Sequence, residues 1–221
     1  MITSETLNPA MNVSDNSILE NILGEGKYRL VVPITDEVCM KIIKPKRAKR
    51  LGPFSFQVST PLYLFMTSGV RNINKQEFKN YSRLINSISE DIKGSFGELL
   101  GLTEEGNLLA KIIRDYDGRI SRPLTNYPGL RNPFFQHQLE NVEREFNQKA
   151  IPYFNTTQYN VLVQWISESE AKPVFIDYKR FGYRSYSFQP ALLFASGVRR
   201  KINSEFERIK QYHQGQDTIF N

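Results

Sequence analysis

The chain is poor in the residues that build staples and metal sites. It holds one cysteine, Cys39, one tryptophan and two histidines among 221 residues. A lone cysteine excludes a disulfide framework, and so small a Cys/His inventory excludes a zinc finger. The expected compartment is reducing and cytoplasmic. Long apolar runs are also missing: no stretch approaches the roughly 18 residues needed to cross a bilayer. The polar start, MITSETLNPAMNVSDNS, lacks a basic segment followed by an apolar one, so no secretory signal is expected there. There is no internal repeat or low-complexity tract. Charge is not lopsided either, with 29 Lys+Arg against 23 Asp+Glu and a net +6. That balance permits a nucleic acid or an anionic substrate and requires neither.

What is present is ordinary for a globular protein: 40% hydrophobic, 12% aromatic and 24% charged residues. Disordered, collagenous and fibrous chains are thereby excluded. The length suits one domain, with room for two lobes and a sizeable core.

The pattern along the chain begins with strands. Residues 18–24 form an apolar run ending at Gly24, followed by Gly24-Glu25-Gly26-Lys27-Tyr28-Arg29 and the apolar run 30–34. Thr35-Asp36-Glu37 is a turn, and Val38-Cys39-Met40-Lys41-Ile42-Ile43 is a third strand. Residues 44–50, KPKRAKR, read either as a solvated loop or as a phosphate-contacting patch. Residues 51–70, rich in Pro, Phe, Ser and Thr, carry no clear periodicity. Residues 72–89 predict an amphipathic helix with Phe78, Tyr81, Leu84, Ile85 and Ile88 on its apolar face. A strand pair follows, Phe96 to Leu102 and Asn107 to Ile113, stopped by Arg114-Asp115-Tyr116-Asp117-Gly118. After a loop, residues 134–150 predict a helix. Residues 160–166 and Val174-Phe175-Ile176 predict a hairpin that ends at Asp177, and residues 190–213 predict a last helix. Strands in runs and helices in runs indicate an α+β fold.

Four features in order carry the chemistry. Gly24-x-Gly26 lies between two strands, where glycine lets backbone amides approach a phosphate. The third glycine of a G-x-G-x-x-G motif is replaced by Arg29, so the pair also reads as a plain β-turn. Lys41 interrupts an apolar strand: it points either to solvent or inward, where an unpaired ammonium would be costly. Val-Cys-Met-Lys has the form of the kinase V-A-I-K signature, whose Lys contacts the α- and β-phosphates and is oriented by a helix Glu. Glu77 is the natural partner, or else simply a first-turn acid favoured by the helix dipole. Asn155 and Asn160 stand five residues apart, as Asp and Asn do in a kinase catalytic loop, and Asp177 follows 17 residues later. Asn160 and Asp177 offer oxygens of the kind that Mg²⁺ prefers.

These residues resemble the bacterial PhoP regulatory network protein YrbL family. The resemblance is carried by Gly24 to Arg29, Cys39-Met40-Lys41-Ile42-Ile43, Ile112-Ile113-Arg114-Asp115-Tyr116-Asp117-Gly118, Asn160-Val161-Leu162-Val163 and Phe175-Ile176-Asp177. It implies a protein-kinase-like fold, with a small antiparallel N-lobe at 18–113 and a reduced helical C-lobe at 114–213. Residues 1–17 and 214–221 would be flexible ends. It further implies ATP and Mg²⁺ as ligands, with Arg114 and Asp115 at a hinge where backbone groups meet adenine.

Two departures bear on activity. Asn155 stands where active kinases have an Asp, and Asn is no general base. Asp177 is followed by Tyr178-Lys179 rather than Phe-Gly, and only 44 residues follow it. A weak kinase acting on a protein or small hydroxyl acceptor and a nucleotide-binding pseudokinase with a regulatory or scaffold role both remain open. No nucleic-acid-binding signature accompanies the basic run, so a nucleic-acid partner is disfavoured.

Overall fold

A computed structural model describes residues 22–26, 28–44, 72–153, 156–179 and 194–215, with the backbone of the strand segments 49–51 and 56–58. Asn155 and most of the 44–70 stretch lie outside the described residues.

The predicted strand run forms a five-stranded antiparallel sheet. Its strands are β1 (Gly24–Glu25), β2 (Arg29–Pro33), β3 (Val38–Ile43), β6 (Leu99–Leu102) and β7 (Leu108–Lys111), in the order β1-β2-β3-β7-β6. Strand alternation sorts β3 into two faces. Met40 and Ile42 join Val32 in a small apolar cluster on one side, while Cys39 joins the main core on the other. Lys41 falls on the Cys39 face, in a strand paired on both edges, so the solvent-pointing edge-strand reading is set aside. The 44–70 stretch also contains a two-stranded ribbon, β4 (Lys49–Leu51) and β5 (Phe56–Val58). Its composition had given no strand signal, and the end of the basic run lies within it.

Helix α1 (Ile73–Ile85) lies against the Cys39 face of this sheet. Asn72 caps it, accepting from the backbone N–H groups of Asn74 and Lys75. Glu77 therefore lies in the second turn, and the first turn contains no acid, which removes the dipole reading of Glu77. The helix stops at Ile85 instead of running on to 89, and a short helix, α2 (Glu90–Lys93), follows.

The second half is built on a three-stranded sheet, β8 (Arg122–Pro123), β9 (Val161–Trp165) and β10 (Ala171–Phe175), in the order β10-β9-β8. Pro173 is tolerated because β10 is an edge strand. Helix α3 (Pro133–Lys149) starts with the side chain of Asn132 accepting from the Phe135 N–H, has proline in its first turn, and stops at Ala150 in a left-handed conformation. Its stripe Phe135, Leu139, Val142 and Phe146 is fully buried. Helix α4 (Ala195–His213) packs on α3 through Val198, Ile202, Phe206 and Ile209. Phe96, Phe146, Phe175 and Phe206 pack together between these layers, with ring centroids 5.4 to 6.0 Å apart; Phe96 stacks on Phe146 and Phe175, and Phe206 meets Phe146 edge-on.

The two sheets are joined where β10 ends. Phe175 donates to Ser95 O at 2.8 Å and accepts from Gly97 N–H at 2.9 Å. A Cβ on Gly97 would come within 3.1 Å of Ile176 and 3.2 Å of Ile113, so the approach is close. This junction delivers the residue after Ile176, Asp177, to the face of the five-stranded sheet that carries Lys41.

Candidate functional site

The buried stripe of α1 is polar in its middle. Asn74, Glu77 and Asn80, spaced three residues apart, are buried between Ile73 and Leu84, whereas Phe78, Tyr81 and Ile85 are only partly buried. Polar groups this deep require partners, and each has them. Asn74 donates to Lys41 O at 2.9 Å and to Gly106 O at 3.1 Å. Asn80 donates to Tyr178 O at 2.8 Å and to Lys179 O at 3.0 Å. Glu77 accepts from Lys41 Nζ at 2.6 Å through Oε1 and from Arg29 Nη1 through Oε2.

Burial alone would raise the Glu77 carboxyl, but Arg29, Lys41 and, further off, Lys179 override it and hold the group well below the ordinary carboxylate range. Lys41 and Glu77, paired in the sequence reading, are thus in contact. Arg29, read there only as a missing glycine, is the residue that reading missed. It leads β2 on the same face as Val31 and Lys41, its side chain is 9% exposed, and it also donates to Asn74 Oδ1 at 3.2 Å. From Glu77 it extends to Asp177, Nη2 to Oδ1, at 3.5 Å. Lys179 holds the other oxygen of Asp177 at 2.6 Å.

Asp177 has a backbone φ of 70°, in the left-handed region that non-glycine residues seldom occupy. The surroundings enforce it. The Tyr153 hydroxyl donates to Ile176 O at 3.2 Å and to Asp177 O at 3.1 Å, and the Tyr178 hydroxyl lies 2.7 Å from Phe175 O and 2.8 Å from Gly97 O. Burial pushes both phenols well above their ordinary range, so they remain neutral donors. An aspartate fixed in a sparsely populated conformation by so many partners is of the kind found at functional sites.

Asn160 is brought to the same place through its backbone: its carbonyl accepts from Ile176 N–H at 2.8 Å. Gly24 pairs with Val31, and Gly26 N–H closes the hairpin turn onto Arg29 O at 2.9 Å. At Gly24 and Gly26 a Cβ would meet only ordinary contacts, so crowding within the chain does not demand glycine there. Arg114 and Asp115 form a tight loop between the two sheets. Arg114 donates to Asp36 O and Gly118 O, and Asp115 accepts from Ser121 and from Trp165 N–H. Beside Asn155, Thr156 donates through its N–H (3.2 Å) and its hydroxyl to Glu205, a buried acid on α4. Glu205 has no signal in the local sequence, because its partner lies 49 residues away. Cys39 is buried, and burial raises its thiol, so it is a core residue rather than a nucleophile.

For a divalent cation, the candidates are the Asp177 carboxylate and the amide of Asn160, oxygen donors of the type that suits Mg²⁺ with water completing its shell. Among the described residues no cluster of three or more His, Cys, Asp and Glu could hold a metal. Both oxygens of Asp177 already carry a protein cation.

A five-stranded antiparallel sheet with a Lys–Glu pair to a packed helix, joined to a helical half through a strand-end Asp, is a protein-kinase-like fold. Solved structures agree. The chain is similar to the Rio2 kinase–ADP/Mg²⁺–phosphoaspartate complex from Chaetomium thermophilum, with 14% identity and a TM-score of 0.52, over 88% of this chain and 61% of that one. Another structure of Rio2 kinase from the same organism matches with 12% identity and a TM-score of 0.55, over 90% of this chain and 57% of that one. The chain thus spans about six-tenths of the length of these structures. No family model and no curated protein matches it.

Proposed function

We propose that the protein binds ATP with Mg²⁺ at the network that links Lys41, Glu77, Arg29 and Asp177, as a member of the YrbL-like group of kinase-like proteins. The observation that carries this reading is the Lys41–Glu77 pair at 2.6 Å, linked through Arg29 to Asp177. Lys41, held by Glu77, would contact the α- and β-phosphates. Gly24 and Gly26 would cover the phosphates, and Arg114 and Asp115 would border the base. Asn160 and Asp177 would hold Mg²⁺, which supplies charge neutralisation at the phosphates. Residues 18–113 and 114–213 would act as the two lobes. The neighbouring Rio2 complex, which contains ADP and Mg²⁺, supports a nucleotide in this fold.

Phosphoryl transfer to a protein or small hydroxyl acceptor would form a bond from the acceptor oxygen to the γ-phosphorus and break the bond to the bridging oxygen. Asn155 cannot take the acceptor's proton, which would pass to solvent. General-base assistance is typically worth about 10²–10⁴-fold, so transfer would be slow. A second reading, a pseudokinase with a regulatory or scaffold role, rests on that same Asn155.

Calorimetric titration of the full chain with ATP and Mg²⁺ tests the binding claim. Saturable binding, weakened in Lys41→Ala, is expected; no heat, or binding indifferent to Lys41→Ala, refutes it. Transfer from radiolabelled ATP that Asp177→Ala abolishes would select the kinase over the pseudokinase.

A further inference from the structure

We propose that Arg29 and Lys179 are resident counter-cations for a nucleotide's polyphosphate, so that this site binds a nucleoside triphosphate without an obligatory divalent metal. The proposal rests on the nucleotide-binding reading above and concerns what neutralises the phosphates. Lys41, Glu77 and Asp177 alone would leave one net negative charge facing a polyanion, and a metal would have to supply the attraction. Arg29 and Lys179 reverse that balance: three basic side chains, Arg29, Lys41 and Lys179, now surround two acids, Glu77 and Asp177. Among the described residues of the network, one positive charge is left over.

The placement matters as much as the sum. Arg29 closes the turn that begins at Gly26, and its guanidinium reaches from there to Asn74, Glu77 and Asp177. It joins Glu77 to Asp177, the span between the Lys–Glu pair and the proposed metal carboxylate. A guanidinium stays charged at any working pH and presents a planar fork of donors that matches phosphate oxygens. Lys179, 25% exposed and 2.6 Å from Asp177 Oδ2, is the more accessible of the pair and can turn toward an entering phosphate. A divalent ion, by contrast, would have to share the Asp177 oxygens with Lys179 and Arg29, whose positive charges oppose it. Arg29 is the residue that replaces the third glycine of the phosphate loop, and in this view the replacement supplies a cation.

The test is calorimetric titration of the full chain with ATP, in MgCl₂ and separately in EDTA. Wild type is expected to bind with comparable affinity in both. Lys179→Ala and Arg29→Gly are each expected to lose about ten- to a hundredfold in EDTA, the worth of a charged contact, and to regain binding with Mg²⁺. Mn²⁺ binding followed by electron paramagnetic resonance is expected to be tighter in Lys179→Ala than in wild type. Should Arg29→Gly fail to fold, Lys179→Ala carries the test alone. Wild-type binding seen only with Mg²⁺, or Lys179→Ala matching wild type in EDTA, overturns the proposal and leaves the nucleotide reading intact. No binding in either buffer overturns both.

Discussion

Glu77→Gln is the sharpest perturbation of the network. Glutamine keeps the shape and removes the charge that Arg29 and Lys41 share. Glu77 is fully buried, and the side chains of Arg29 and Lys41 are 9% and 11% exposed, so water cannot replace the lost partner. Breaking a buried pair by removing one charge typically costs about 3–5 kcal/mol. For a chain of this length each kcal/mol moves Tm by roughly 2–4 °C, so a fall on the order of 10 °C is expected. The pH dependence has a definite sign. The folded carboxyl is depressed from its ordinary 4.5, so its stabilisation is present above that value and is lost as pH falls through it toward the folded pKa. The Tm gap between wild type and Glu77→Gln should therefore narrow between about pH 5 and pH 3. Adding Lys41→Met should cost less than the sum of the single changes, with a coupling of about 1–3 kcal/mol. Thermal melts followed by circular dichroism measure all three. A Glu77→Gln melt within about 1 °C of wild type at pH 7 would refute the reasoning, since the expected shift is several-fold larger.

Gly97→Ala should destabilise by about 1–3 kcal/mol in urea titration, because its Cβ meets Ile176 and Ile113 at 3.1 and 3.2 Å. Thr156→Val leaves Glu205 without its hydroxyl donor and should cost about 1–3 kcal/mol; amide exchange should quicken around residue 156, and unchanged exchange would count against the anchor. His213 is buried against Phe135, accepts at Nε2 from Asn132 N–H, and has its pKa lowered by burial. Wild type should therefore lose stability as pH falls below about 6.5, and His213→Gln should lose that component in melts at pH 7.5 and 5.5.

The sequence was legible where local pattern and contact coincide. Lys41 stands out because an apolar strand surrounds it, and the helix that answers it is the first helical pattern after that strand, so Glu77 was found as well. Asp177 was found because it ends a hairpin. Arg29 was not, because a motif read for its glycines treats any other residue as a loss, and its partners lie 48 and 148 residues away. The polar stripe Asn74, Glu77, Asn80 was hidden by Phe78, Tyr81 and Ile85, whose apolar periodicity dominates the helix although they bury less. Glu205 is set by a tertiary partner 49 residues away, and the β4–β5 hairpin forms in a stretch whose composition carries no clear periodicity.

The sequence separation of 148 between Arg29 and Asp177 also bears on the order of folding. The hairpins β1–β2 and β2–β3 close over short loops, and α1 soon follows them, so Arg29, Lys41 and Glu77 can meet early. Asp177 reaches them only after both sheets and α3 have formed and the Phe96–Phe175 bridge has been made. Closing so long a loop is rewarded only at the end. On this topology the site would be completed late: a chain stalled partway would hold Arg29 and Lys41 on Glu77 but lack Asp177. If the site binds nucleotide as proposed, competence to bind would arrive together with completion of the fold.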